Sequence, residues 1–326
     1  MRLGKRIVVA GGSGFVGRAL LEVLGEAGYA MTVLVRRPER CRELALYPNV
    51  RLRAWRPEDR DELTALMQGH DMLINLLVDQ SDTLEAIPPE QFEKAGKALQ
   101  HAANRAGIRR VLHLSYLGAD SSAGGGWARQ LGELEAAMHG VADAAVTTLR
   151  TSLLIGEGDD TASRYRDQLR HSRFLPVFGS KLRMQPLWVE DFARAAVGVL
   201  RNRDSFGQKW SIVGKEVLTL KDLALEVAEL QGVDKPLIMD VCPANARLMR
   251  LLGPLAPRSI HPAQWVTLQE DRVDEMADFA DCFGFEPASV EVALAAFVTP
   301  HDIRHRYNFF RKEAGRPLEE LPRELL

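Results

Sequence analysis

Cysteine is scarce in this chain. The three present among 326 residues, Cys41, Cys242 and Cys282, are odd in number and far apart. That excludes a disulfide framework and leaves no zinc-like spacing, so reduced thiols in a cytoplasmic setting are expected. The eight histidines form no ligand cluster either. His301 and His305 share a helical spacing but have no third candidate nearby, and no metal is expected. No apolar run is long enough to span a bilayer, and no cleavable leader is read ahead of the first strand. A formal net charge of -2 gives no overall basic field, which argues against nucleic acid. Internal repeats and low-complexity tracts are also lacking. The expectation is a soluble protein, or one attached peripherally at the inner face of a membrane.

What is present begins at once. Ile7, Val8 and Val9 form a β-branched run that reads as a buried strand, and Gly11, Gly12, Ser13, Gly14, Phe15, Val16 and Gly17 interrupt it. Gly11 permits a tight turn, Gly14 a close approach of backbone to pyrophosphate, and Gly17 the packing of a helix on the strand. The helix N-terminus then supplies free amides and a favourable dipole for phosphate. Leu20, Leu21 and Leu24 continue at helical spacing, and Gly28 closes the helix before a second strand, Met31 to Val35. An acidic residue at the end of that strand would bind the ribose hydroxyls of NAD. The chain has Arg36 and Arg37 instead, and guanidinium forks suit a 2′-phosphate, so NADP(H) is favoured and NAD(H) remains the alternative.

Strand and helix signals then alternate. Val50–Ala54, Met72–Val78, Arg110–Ser115 and Ala145–Leu149 read as strands; Glu62–Met67, Pro89–Ala106 and Leu131–Met138 read as helices. This is an α/β pattern, a Rossmann-like doubly wound parallel sheet with a smaller C-terminal α/β lobe. Residues 1–155 are expected to form the NAD(P)-binding domain, its sheet completed by roughly 185–215. Residues 156–300 would form a lobe interleaved with it, and 301–326 a basic-aromatic tail. Ligands of such sheets sit at the carboxyl ends of the strands, where the glycine motif, Arg36, Asn75, Ser115 and Arg150 all fall.

Four segments together resemble the atypical short-chain dehydrogenase/reductase superfamily. They are the glycine motif, Leu112 to Asp120, Arg150-Thr151-Ser152, and Gln185 to Ala193. Within it the chain is similar to the group containing the nucleotide-binding accessory subunit of respiratory complex I and its bacterial relatives. The resemblance implies a bound nicotinamide dinucleotide, a small lobe facing the nicotinamide, and a place in respiratory or quinone-related machinery.

The departures from that pattern bear on chemistry. Active members carry a Tyr-x-x-x-Lys pair on the helix after the fifth strand, where the lysine lowers the tyrosine pKa. None of the five tyrosines here is followed four positions later by a lysine, and Trp127 and Leu131 stand near the two positions. Two readings stay open. One is a structural, assembly or redox-sensing nucleotide-binding protein. The other is an NAD(P)H-dependent oxidoreductase or isomerase of a small carbonyl or quinone, with Ser115 and Tyr116 as its catalytic candidates. Asn75 is expected to hold backbone or ribose, and Arg150 to line the nicotinamide edge of the cofactor site or to serve as a structural salt-bridge partner.

Further along, Trp55 can stack on adenine or pack. Arg164–Leu175 reads as a helix, and Asp191 as a helix cap or a tie between lobe and sheet. Residues 244–260 combine apolar residues with Arg247, Arg250 and Arg258, a pattern that suits core packing or a peripheral membrane contact.

Overall fold

Runs of buried β-branched and aliphatic residues alternate with amphipathic helices, and the chain folds accordingly. The computed structural model describes residues 4–79, 81, 86–241, 268 and 270–299. Cys242, the 244–260 stretch and the 301–326 tail, with His301 and His305, lie outside the described residues. In chain order the first elements are β1 (Arg6–Ala10), α1 (Phe15–Glu26), β2 (Ala30–Val35), β3 (Val50–Ala54), α2 (Arg60–Met67), β4 (Met72–Asn75), α3 (Phe92–Ala106), β5 (Arg110–Tyr116), α4 (Gly126–His139) and β6 (Ala145–Thr151). Then come β7 (Leu153–Ile155), α5 (Ala162–Leu169), β8 (Phe174–Phe178), β9 (Arg183–Met184), β10 (Pro186–Trp188), α6 (Val189–Val199), β11 (Lys209–Ile212), β12 (Leu218–Thr219), α7 (Leu220–Leu230), β13 (Leu237–Val241), α8 (Phe279–Phe283) and α9 (Val290–Phe297).

The main sheet has seven strands in the order β11-β6-β5-β4-β1-β2-β3, every pair parallel. This is the expected doubly wound Rossmann-like sheet. Helices cover both faces, so β1, β4 and β5 carry almost unbroken buried runs, as parallel strands do. The order reverses between β2 and β4, on either side of β1. The loops after β1 and β4 therefore face each other across the crevice where such sheets take ligands.

After β6 the chain leaves for a second hydrophobic core, built on Ile155, Tyr165, Val177, Leu220, Val227 and Leu294. Short pairs β7·β10, β8·β13 and β9·β12 frame it. The chain returns through α6, which lies against α1, and through β11 at the sheet edge. Asp191 in α6 is buried and accepts from the Ala288 amide at 2.7 Å. It is the tie between lobe and sheet; the helix cap position belongs to Trp188.

Among the boundaries that differ from expectation, two do so for local reasons that the hydrogen bonds show. The Arg164–Leu175 helix stops at Leu169, because Leu175 pairs with Ile238 across β8 and β13 and the Ser172 hydroxyl accepts from the Phe174 amide. The fourth strand stops at Asn75 rather than Val78. There the Asn75 side-chain oxygen accepts from the Leu77 amide at 3.1 Å, and the Asp79 amide bonds back to Leu76 O at 2.9 Å. The strand thus closes in a tight turn that ends on Asp79.

Arg110 opens β5 and is fully buried. Its guanidinium donates to the carbonyls of Val111, Ala145, Val199 and Leu200 and to the Ser205 hydroxyl, and lies 4.6 Å from the Phe206 ring centre. It closes the C-terminal end of α6, whose last carbonyls have no partner within the helix. Burial lowers its pKa to about 10, so it stays charged at neutral pH. Arg110→Met should cost at least about 3 kcal/mol in urea unfolding, because several buried carbonyls lose their donor. Arg110→Lys should recover only part of this, since an ammonium cannot reproduce the fork.

Candidate functional site

The glycine loop is shaped by close approach. Gly11 has φ +82° and an added Cβ would stand 2.8 Å from the Leu76 carbonyl; at Gly17 it would stand 2.4 Å from Gly12 O. Neither position accepts a side chain, which brings β1, the start of α1 and the β4 turn into contact. Gly14 occupies the N-cap of α1 and gives it no side-chain cap, and the first turn has no acidic residue. The amides at the helix start must therefore be satisfied from elsewhere.

They are satisfied by the β4 turn. The Val16 amide donates to Asp79 Oδ2 at 2.8 Å and the Phe15 amide to Ser81 Oγ at 2.7 Å; the Ser81 amide donates to Asp79 Oδ1 at 3.0 Å. The loop is thus an anion seat, and a carboxylate fills it. The residues present fit the pyrophosphate of a dinucleotide: a helix N-terminus, glycines at closest approach, and two amides already bonded to a carboxylate and a hydroxyl. When bound, the dinucleotide would supply a nicotinamide able to exchange hydride.

Beside this seat is a cleft of about 60 Å³ lined by Phe15, Val16, Asp79, Ser81, Tyr116, Asp160 and Arg272, among others. A cavity that holds a benzene ring measures roughly 150 Å³, so the cleft as it stands takes a few waters. The Arg272 guanidinium is buried 4.7 Å from the Tyr116 ring centre, and burial lowers its pKa to about 10. The Tyr116 phenol is pushed up by burial and by Asp79, with Arg272 opposing. Asp160 is ion-paired with Arg164 at 2.9 Å. Burial nonetheless pushes its carboxyl up to about 6, with Arg164 pulling down and Asp79 adding to the rise. Its neighbour Asp159 accepts from the amides of Gly156, Thr161 and Ser163 and builds the turn into α5.

A second cleft, of about 260 Å³, is lined by Arg36, Arg37, Arg56, Pro57, Glu58, Ile87 and Gln91. It brings both arginines expected after β2 together with a third. Trp55 next to Arg56 is buried in the main core, so packing is the role the structure gives it.

The remaining expected site residues are placed as follows. Asn75 is fully buried and holds the β4 turn through its side-chain oxygen. Ser13 is buried within the loop, and Ser115 is fully buried. The Ser115 hydroxyl has no hydrogen-bond partner among the described residues. Arg150 forms a two-pronged pair with Glu135, Nε to Oε1 at 2.9 Å and Nη2 to Oε2 at 2.7 Å, and also reaches Ala119 O. Lys209 joins on the same carboxylate at 2.7 Å. These contacts bind α4 to β6 and β11, the structural salt bridge that was one of the two expectations for Arg150.

On α4, Trp127 packs between Phe92 and Tyr116, with ring centres 5.7 Å and 6.1 Å away, and Leu131 is fully buried. The positions near which the resemblance places an acid/base pair hold apolar core. Asp79, Ser81, Asp160 and Arg272 were not singled out from the sequence. Only Asp79 carried a usable signal, as an acidic residue just past an apolar strand at the ligand end of the sheet. Arg272 is too distant in sequence from Tyr116 for spacing to reveal it. Among the described residues no group of three His, Cys, Asp or Glu is placed to hold a metal ion. No helix among them is long and apolar enough to cross a membrane.

Residues 11–154 match the family described as NAD(P)H-binding. The chain is 27% identical over 224 residues to NADH dehydrogenase (ubiquinone) 1 alpha subcomplex subunit 9, mitochondrial, of Rattus norvegicus, covering 63% of this chain and 56% of the relative. The Mus musculus counterpart is 25% identical over 222 residues, with the same coverage. The chain thus spans little more than half the length of these curated relatives. By fold it is similar to an NADPH-dependent quinone oxidoreductase of Escherichia coli, solved with NADPH, at TM-score 0.67 and 17% identity, covering 89% of this chain and 99% of that one. It is also similar to dTDP-glucose 4,6-dehydratase of Bacillus anthracis, solved with NAD, at TM-score 0.69 and 14% identity, covering 90% and 96%. The chain is thus similar in sequence, over part of its length, to the complex I accessory subunit, and shares its fold with these dinucleotide-bound structures.

The Glu135 cluster yields a pH test. Burial alone would raise this carboxyl, but the Arg150 fork and Lys209 more than offset it and hold it at about 2 against an ordinary 4.5. A depressed folded-state value means the stability is present above 4.5 and lost as pH falls through about 2. That loss should amount to about 3 kcal/mol, following from roughly 1.4 kcal/mol per pKa unit, and should be absent in Glu135→Gln when urea midpoints are compared across this range. Arg150→Met should unfold at lower urea yet bind dinucleotide within about threefold of the parent, because its partner is Glu135; a tenfold loss would return Arg150 to the cofactor.

Proposed function

We propose that this relative of the mitochondrial accessory subunit binds NADP(H) as a structural, assembly or redox-sensing ligand within respiratory or quinone-related machinery, and does not use it for turnover. The observation that carries this reading is the apolar filling of α4. Trp127 and Leu131 are buried in packing, and neither exchanges a proton. Tyr116, the remaining phenol at the cleft, is shifted upward and away from the value a proton donor needs near neutrality. The preference for the phosphorylated dinucleotide rests on the three guanidiniums of the second cleft, which suit a 2′-phosphate. Gly11, Ser13, Gly14, Phe15, Val16 and Gly17 form the proposed pyrophosphate seat, with Arg36, Arg37 and Arg56 at the adenosine end. The proposed assembly role is supported by the names of the curated relatives.

A second reading has its own support. Asp160, whose carboxyl burial pushes up to about 6, lines the same cleft as Tyr116 and Arg272. An NAD(P)H-dependent oxidoreductase or isomerase acting on a small carbonyl or quinone would find an acid there.

Thermal-shift and calorimetric titrations separate the two. The favoured reading predicts that NADPH raises the melting temperature more than NADH does, and that short-chain quinones and aldehydes leave NADPH unoxidised. Arg36→Glu should weaken NADPH about tenfold or more while leaving NADH nearly unchanged. Saturable NADPH oxidation with any one compound would establish the second reading, and an unchanged NADPH to NADH ratio in Arg36→Glu would remove the argument for the phosphorylated cofactor.

A further inference from the structure

The carboxylate in the anion seat belongs to the protein itself. Asp79 is about nine-tenths buried, accepts from the Val16 amide, and holds Ser81 so that its hydroxyl accepts from the Phe15 amide. An added Cβ on Gly14 would stand 2.3 Å from Asp79 Oδ2, so the carboxylate touches the closest-approach glycine of the loop. Its position is fixed from behind by the Asn75 turn. A pyrophosphate bound to the same amides would meet this negative group at contact distance. Two anions cannot share one set of donors without strong repulsion.

We propose that Asp79 is an intramolecular competitor for the dinucleotide: it seats its carboxylate where the pyrophosphate binds, and the nucleotide enters only by displacing it. The inference rests on the dinucleotide reading above and gives that reading a mechanism. Asp79 and Ser81 also line the Tyr116 cleft, so their departure widens a space that is now too small for an aromatic ring. The same departure removes a negative charge that acts on both Tyr116 and Asp160. Occupancy of the seat is thereby transmitted to the cleft and to the turn after β4. Asp79 sets the affinity, and a nucleotide pool must reach the level at which pyrophosphate outcompetes one carboxylate.

The test uses the full chain, with NADPH and NADH as probes, in calorimetry and thermal shift. Asp79→Asn keeps the shape and removes the charge. It should tighten NADPH on the order of tenfold, the weight of one charge-assisted hydrogen bond, and lower the melting temperature of the ligand-free protein. Ser81→Ala removes a neutral acceptor and should tighten NADPH only about two- to threefold. It decides the matter if Asp79→Asn does not fold: unchanged affinity in Ser81→Ala then overturns the proposal. Binding by the parent protein that Asp79→Asn leaves unchanged or weakens overturns this inference alone. Binding by Asp79→Asn but not by the parent supports it most strongly. Binding by neither overturns the dinucleotide reading and this inference together.

Discussion

Helix α1 begins without a side-chain cap, and its first amides need a negative or polar partner. That requirement organises the ligand end of the molecule. The glycines bring β1, α1 and the β4 turn so close that no side chain of the loop itself reaches the amides. The reversal of strand order places the β4 turn opposite, and Asp79 and Ser81 arrive from there. The pattern that marks a dinucleotide site is thus also a structural problem for the ligand-free chain, solved by a carboxylate from across the crevice. Anion binding by the loop and closure by Asp79 are two answers to the same unsatisfied donors.

The rest of the scaffold keeps that seat rigid. Arg110 fastens the end of α6 to the sheet, α6 lies on α1, and Asp191 joins α6 to the segment leading into α9. The Glu135 cluster fixes α4 against β6 and β11. Charged groups in this protein therefore serve mainly to align helices with strands. Arg150 lies at the carboxyl end of a strand, as a cofactor ligand would, and its guanidinium is paired with the buried Glu135, the structural role that its position equally allowed.

Much of the sheet was legible in the sequence, because parallel strands covered on both faces must be apolar throughout and the helices between them must be amphipathic. Six strands and the turn-helix signature could be read from those patterns. The seventh strand and the small lobe were harder, since β7, β9, β10 and β12 are two or three residues long and carry no period. The fourth strand was overextended because Leu76, Leu77 and Val78 are as apolar as a strand; a hydrogen bond accepted by the Asn75 side chain from the Leu77 amide ends it instead. At the candidate site, local motifs pointed to the glycine loop and Arg36. Partners from distant segments, such as Asp79 on the α1 amides and Arg272 beside Tyr116, depend on tertiary contact that spacing does not encode.

The central claim is that the amides opening α1 are the seat the dinucleotide takes. The most direct measurement follows the amide resonances of Phe15 and Val16 in an isotope-labelled sample as NADPH is added. The account predicts that these two are among the largest changes and saturate at one nucleotide per chain, as one anionic partner replaces another. Saturable NADPH binding that leaves both resonances unmoved would contradict it.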